Sequence, residues 1–168
     1  MTATTPRYMA VQGAALLIAG VFLAIGLLGF IPGVTSDYGL LHWAGQHSGA
    51  KLFGMFPVSG LRNTDHLVFG VVGLVLMRSY AAARAYLIIG GLAYLAVWIY
   101  GLLIENSSGA NFAPRNGADN WLHFGLGAAM VILGITLGGQ RDPTKRRHFR
   151  RRPKGHGPSG SGSAAATY

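Results

Sequence analysis

The stretch MAVQGAALLIAGVFLAIGLLGFI, residues 9–31, decides the fold class of this chain. It contains no charged residue, and Gln12 is its one clear polar interruption. A helix of this length rises about 34 Å, which is enough to cross the hydrocarbon core of a bilayer. A cleaved signal peptide has an apolar region of only about 7–15 residues. The stretch therefore predicts a retained transmembrane helix.

Three further spans are predicted, at residues 61–78, 85–104 and 120–139. The first and the last of them begin with polar residues, before the apolar runs at 67–77 and 124–139. The 168 residues are 51% hydrophobic and 11% charged, whereas an ordinary soluble domain carries about 25% charge. Residues 1–140 are therefore predicted to form an all-α integral membrane four-helix bundle that passes through the membrane several times. The chain has no cysteine, which excludes disulfides, iron–sulfur clusters and thiol nucleophiles.

Positive charge is concentrated at the C-terminal end of the chain. The net charge is +9, and residues 141–154 contain eight of the 14 Lys and Arg residues. Residues 155–168 are rich in Gly, Ser and Ala, so we predict a disordered tail over residues 141–168. Basic residues directly after a transmembrane helix favour anionic lipid head groups over nucleic acid as the partner. The expected contacts are made by Arg146, Arg147, Arg150, Arg151 and Arg152.

The same charge distribution predicts the orientation of the bundle. With four spans, the N-terminus, the 78–84 connection and the tail share one side of the membrane, and that side carries 11 Lys and Arg residues against three on the other. Positive charge is enriched on the cytoplasmic side of membrane proteins. Both termini are therefore expected in the cytoplasm.

The motif Asn-x-x-His-x-x-x-Gly occurs twice, at the start of the second and of the fourth apolar stretch. This recurrence predicts two tandem, parallel helix-pair repeats with the two histidines at equal depth. At helical spacing the three motif residues share one face, and a glycine on that face lets another helix approach closely. The motif residues are Asn63, His66 and Gly70 in the first copy, and Asn120, His123 and Gly127 in the second.

The two motif histidines have a structural and a chemical interpretation. In the structural one, which we favour, each asparagine is the N-cap or a near-cap residue of its helix. Each imidazole then hydrogen-bonds the opposite loop or the partner helix, without a cofactor. In the chemical one, His66 and His123 bind a cofactor: they clamp a b-type haem, or they bind a divalent metal together with Asp65 and Asp119. No further ligand lies at a recognisable spacing.

The connection over residues 32–62 is long, because helix connections in bundles usually have about 2–8 residues. Its apolar side chains predict an interfacial segment or a lid over the mouth of the bundle. The alternative is that it forms half of a binding pocket, with His42 and His47 nearby.

Two segments resemble a known family: LFGMFPVSGLRNTDHLVFGVVGLVL, residues 52–76, and NGADNWLHFGLGAAMVILG, residues 116–134. They are similar to the bacterial four-helix integral membrane family named domain-of-unknown-function 4383, over roughly residues 8–139. The resemblance implies a multi-pass protein of the bacterial cytoplasmic membrane. It implies no activity, cofactor or substrate, and therefore no catalytic residue.

Three classes of function remain after these observations. We expect a small structural or accessory subunit, present as a homo-oligomer or in a larger membrane complex. The haem- or metal-binding protein is the first alternative. A transporter or channel element is the second, although the helices contain no charged pathway that would favour it. The sequence shows no Ser-His-Asp set, phosphate-binding loop or paired carboxylates, so we expect no enzymatic activity.

Overall fold

The computed structural model describes residues 9–44, 47–104 and 116–139. Four α-helices and a small three-stranded sheet make up this part of the chain. The helices are α1 (Ala10–Leu28), α2 (Gly60–Leu76), α3 (Tyr80–Leu103) and α4 (Gly117–Thr136), and the strands are β1 (Thr35–Ser36), β2 (Lys51–Leu52) and β3 (Phe56–Pro57). The tail predicted at residues 141–168 lies outside the described residues.

The prediction of four helices is confirmed, and three of them have the dimensions of membrane spans. Ala10–Leu28, Tyr80–Leu103 and Gly117–Gly139 are long and apolar enough to cross a membrane. The remaining helix, α2, has 17 residues and is therefore about 25 Å long, somewhat shorter than a typical hydrocarbon core. These helices indicate a membrane protein.

Capping side chains fix where α2 and α4 begin. Ser59 precedes α2 and Asn116 precedes α4, and each side chain accepts a hydrogen bond from the backbone N–H three residues further on. Asn63 and Asn120 are therefore not the N-caps of these helices, as one form of the expectation had it. Both lie inside the first turns, because Ser59 and Asn116 already satisfy the free N–H groups of each helix start.

The helices pack mainly as two neighbouring pairs, α1 with α2 and α3 with α4, and α1 also contacts α3. At one end of the bundle, the Gln12 side chain on α1 donates a hydrogen bond to the carbonyl oxygen of Met77, just after α2 (3.0 Å). At the corresponding ends of the second pair, the Tyr80 hydroxyl donates to the carbonyl oxygen of Gly138. Each pair is therefore antiparallel. The relation of the two pairs as tandem repeats stays a prediction.

Small residues let the backbones of α3 and α4 touch. A Cβ atom on Gly91 would lie 2.8 Å from the carbonyl oxygen of Gly127, and a Cβ atom on Gly127 would lie 2.9 Å from the carbonyl oxygen of Gly91. Gly70 on α2 likewise faces the backbone of Ala19 on α1. Because any side chain would separate these backbones, the close helix contacts depend on glycine.

The opposite end of the bundle, called the sheet end below, is covered by the antiparallel sheet β1-β2-β3. Ala50, Leu52 and Val58 are buried there against Ile25 and Leu28 of α1. The long connection is thus folded and packed on the helices through an apolar cluster of its own.

The contact between α3 and α4 generates a prediction about stability. We expect Gly91→Ala and Gly127→Ala each to lower the free energy of unfolding by about 1–3 kcal/mol, because the new methyl group meets the backbone of the other helix. The matched control is Gly20→Ala on α1, where nothing lies within 4 Å of the added Cβ atom. Thermal unfolding in detergent measures the difference, and a Gly127→Ala protein as stable as the Gly20→Ala protein would contradict the prediction.

Candidate functional site

A buried ion pair joins α2 and α4 at the sheet end. Nη1 of Arg62 lies 2.9 Å from Oδ1 of Asp119. The two residues are only 8% and 3% exposed. Nη1 of Arg62 also donates a hydrogen bond to the carbonyl oxygen of Pro57 in β3 (3.1 Å). The pair therefore ties together two helices and the sheet, and its burial makes each charge dependent on the other.

Arg62 and Asp119 occupy the same position relative to the two repeated motifs. Each lies on the first turn of its helix, three residues after the cap, and each precedes its histidine by four residues. In the sequence, Arg62 is one of the three basic residues expected on the side opposite the termini, and Asp119 is a possible metal ligand. Opposite charges at matching positions of two motif copies were the signal that could have revealed this ion pair.

His123 on α4 is held by its own helix and by an aromatic neighbour. Its Nδ1 lies 2.8 Å from the backbone oxygen of Asp119 and 3.6 Å from Oδ2 of the same residue. Since a carbonyl oxygen only accepts hydrogen bonds, this contact places a proton on Nδ1. The ring of Tyr94 on α3 stacks on the imidazole, with the ring centroids 5.2 Å apart.

His66 on α2 is as deeply buried as His123, with 7% exposure, but its contacts differ. Its ring stacks on Phe22 of α1 at a centroid distance of 5.9 Å. Within the described part of the chain, Nδ1 of His66 has no hydrogen-bond partner. The contact of His123 with Asp119 thus lies within its own helix and not with a loop or a neighbouring helix. The expected hydrogen bond of His66 stays a prediction.

A row of aromatic contacts connects the two histidines. Phe22, which stacks on His66, contacts Tyr94 at a centroid distance of 4.9 Å, and Tyr94 stacks on His123. One ring thus comes from each of the four helices. The repeated motif identified the two histidines at the ends of this row. Phe22 and Tyr94 lie on α1 and α3, outside the motif, and no sequence pattern singled them out.

Asn63 fills a different place from the one expected. It is fully buried, and its side chain lies against Gly29 just after α1, where a Cβ atom would collide with the amide. Neither polar atom of that amide has a hydrogen-bond partner among the residues the structure describes. Oδ2 of Asp119 also lacks a hydrogen-bond partner there, although Nδ1 of His123 lies 3.6 Å away. Asn120, the counterpart of Asn63, is half-buried. Unsatisfied polar atoms are therefore concentrated at the sheet end.

The two histidines line one cavity of about 210 Å³, called the histidine cavity below. It lies between α2, α3 and α4. The polar part of its wall contains Ser59, Arg62, His66, Tyr94 and His123.

A second cavity of about 130 Å³ lies beneath the sheet and shares Arg62 and His66 with the histidine cavity. Its wall is otherwise mostly apolar and includes Leu52, Phe56 and Val58. His42 and His47 of the long connection are exposed and do not line either cavity. Residues 9–44, 47–104 and 116–139 contain no group of three or more His, Cys, Asp or Glu side chains that could hold a metal ion.

The model of the family described as a domain of unknown function (DUF4383) matches residues 12–136. The chain belongs to this family. The resemblance inferred from the two motif segments is thereby confirmed, and the matched region contains the ion pair and both histidines. No curated protein and no solved structure matches the chain. The family description supplies no activity.

The ion pair generates a second prediction. We expect Asp119→Asn to lower the free energy of unfolding by about 3 kcal/mol, because the charge of Arg62 would remain buried without its carboxylate. The control is Asp65→Asn, which removes the charge of an exposed carboxylate three residues after Arg62 on α2.

Denaturant or thermal unfolding in detergent compares both variants with the unmodified protein. Equal loss of stability in the two variants would show that the buried pair has no special role. We expect the replacement of both partners, Arg62→Met with Asp119→Leu, to recover much of the loss, since no isolated charge is then left.

Proposed function

We propose that this protein is a non-enzymatic accessory subunit of a membrane complex, and that the outer face of α2 binds a transmembrane helix of another protein. The observation that carries the proposal is a stripe of four exposed valines on this helix. The valine stripe consists of Val68, Val71, Val72 and Val75, which are 56%, 52%, 41% and 52% exposed.

The valine stripe has the helical spacing and the restricted side-chain rotamers that favour packing against another helix. Its members follow positions i, i+3, i+4 and i+7, so they form one continuous row along α2. A β-branched side chain has few rotamers, and a row of such side chains therefore loses little entropy when another helix packs on it. Close van der Waals packing is the main source of helix association in lipid.

The length of α2 supports the same proposal. At 17 residues it is the shortest of the four helices, although it lies between helices long enough to cross a membrane. A helix shorter than the hydrocarbon core deforms the surrounding bilayer, and association with another protein is one way to relieve this mismatch. A partner helix along α2 would remove its outer face from lipid.

We propose further that the complex lies in a bacterial cytoplasmic membrane, with both termini in the cytoplasm and the sheet end outside. The excess of Lys and Arg on the side of the termini supports this orientation. The basic residues 141–154 would then contact anionic lipid head groups on the cytoplasmic face.

The haem alternative receives less support from the geometry than the accessory role. A haem clamped by His66 and His123 would need its flat ring between the two imidazoles. Phe22 and Tyr94 form the contacts that connect these imidazoles, and both would have to move aside. We therefore assign the two histidines no haem.

Site-specific photocrosslinking in native membranes tests the accessory role. We expect a photoreactive benzoylphenylalanine at Val71 to form a discrete adduct with one other membrane protein, because this position lies in the centre of the valine stripe. The matched control is the same group at Leu92 on α3, which is 54% exposed where Val71 is 52%. At Leu92 we expect no discrete protein adduct.

A second change tests whether the stripe itself carries the association. Val75→Trp places a bulky ring on the valine stripe and should abolish the adduct formed at Val71. An adduct that forms equally at Val71 and Leu92, or that survives Val75→Trp, would contradict the proposal. An adduct consisting of two copies of this chain would replace the accessory role with self-association.

A further inference from the structure

We propose that the histidine cavity binds the uncharged, hydrogen-bonding head group of a membrane-soluble amphiphile, and that a quinone ring is the head group that fits it best. This inference concerns the sheet end of the bundle and does not depend on the valine stripe. It also involves no haem or metal.

The imidazole of His66 borders the histidine cavity and has a nitrogen without a partner. His66 is 7% exposed and lines the cavity, while its Nδ1 is closed off and has no hydrogen-bond partner among the described residues, so a head group reaches this nitrogen when the ring turns toward the cavity. A buried polar atom without a partner costs free energy, and a bound ligand or water that hydrogen-bonds the imidazole would recover it. His123 and Ser59 line the same cavity and supply further polar groups.

The size of the cavity fits a head group rather than a whole ligand. Its volume is about 210 Å³, whereas sites that enclose a drug-sized molecule have roughly 300–1,000 Å³. A ligand with a longer chain must therefore extend beyond the cavity. The position of the cavity mouth therefore determines whether that chain extends into water or into the hydrocarbon region.

We infer that the cavity opens between α2 and α3, because these helices supply the more exposed residues of its wall. Leu61, Phe69 and Val97 are half-buried, and Asp65 is exposed. Val97 lies about 9 Å before the end of α3, one of the helices long enough to span a membrane. A chain leaving the cavity beside Phe69 and Val97 would thus enter the hydrocarbon region, which favours an apolar tail.

The charges around the cavity favour an uncharged head group. The positive charge of Arg62 is balanced by Asp119 at 2.9 Å, and Asp65 adds a negative charge at the mouth. An anionic head group would therefore meet no net positive charge. A quinone carbonyl oxygen accepts a hydrogen bond from an imidazole N–H without carrying charge, and its flat ring suits a cavity bordered by Phe69 and Tyr94.

Binding of a decyl benzoquinone to the purified full chain in detergent tests this inference. We expect a saturable rise in the unfolding temperature with increasing quinone. His66→Phe keeps the ring that stacks on Phe22 and removes both nitrogens, and it should weaken binding by about tenfold, the effect of one lost buried hydrogen bond. His42→Phe makes the same change at an exposed position and should leave binding unchanged.

A second variant keeps the test valid if His66→Phe fails to fold. Val97→Trp fills the mouth without changing the polar wall, and it should also weaken quinone binding.

Monoolein, with an uncharged hydroxyl head, and oleate, with an anionic head, are compared with the quinone. Monoolein binding more tightly with the same sensitivity to both variants would replace the quinone by a hydroxyl-bearing lipid. Preference for oleate, absence of saturable binding, or binding insensitive to both variants would overturn the inference.

Discussion

The buried ion pair between Arg62 and Asp119 fixes the sheet end of the bundle, and the geometry of the candidate site depends on it. Two charges in an apolar environment must stay together, because each would otherwise lack a counter-charge. The pair therefore brings the first turns of α2 and α4 to one place. Through the hydrogen bond from Arg62 to Pro57, it also connects the sheet to the helices.

The arrangement of the histidines follows from this constraint. Each histidine lies one helical turn after a member of the ion pair, so pairing the first turns also brings both imidazoles to the wall of one cavity. Phe22 of α1 and Tyr94 of α3 then contact the two imidazoles and each other. The site thus uses one aromatic side chain from each of α1 and α3, and a charged residue and a histidine from each of α2 and α4.

The four helices could be predicted from the sequence, because a long apolar stretch in a membrane forms a helix that satisfies its own backbone hydrogen bonds. The helix starts were harder to predict. The apolar stretch suggested that the third helix begins at residue 85, whereas α3 begins at Tyr80, after its cap Ser79. A capping side chain hydrogen-bonds only the first turn of a helix, so it does not change the hydrophobic pattern of the sequence. For this reason Asn63 was expected at the start of α2, where Ser59 is the cap.

Only part of the candidate site was predictable, for a related reason. The repeated motif identified His66 and His123 because it recurs in the sequence. The partner of a charged residue, however, is decided by tertiary packing, and Arg62 and Asp119 are 57 residues apart in the chain. The unpartnered Nδ1 of His66 is a property of the three-dimensional surroundings alone.

The distance between the two charged groups in a lipid bilayer tests the central claim most directly. Solid-state NMR of the full chain, labelled with ¹⁵N in arginine and ¹³C in aspartate, reports dipolar coupling between a guanidinium nitrogen and a carboxylate carbon. The ion pair predicts a strong coupling that corresponds to a contact of about 4 Å or less and disappears in Asp119→Asn. A coupling that is absent in the unmodified protein, or that persists in Asp119→Asn, would contradict the account.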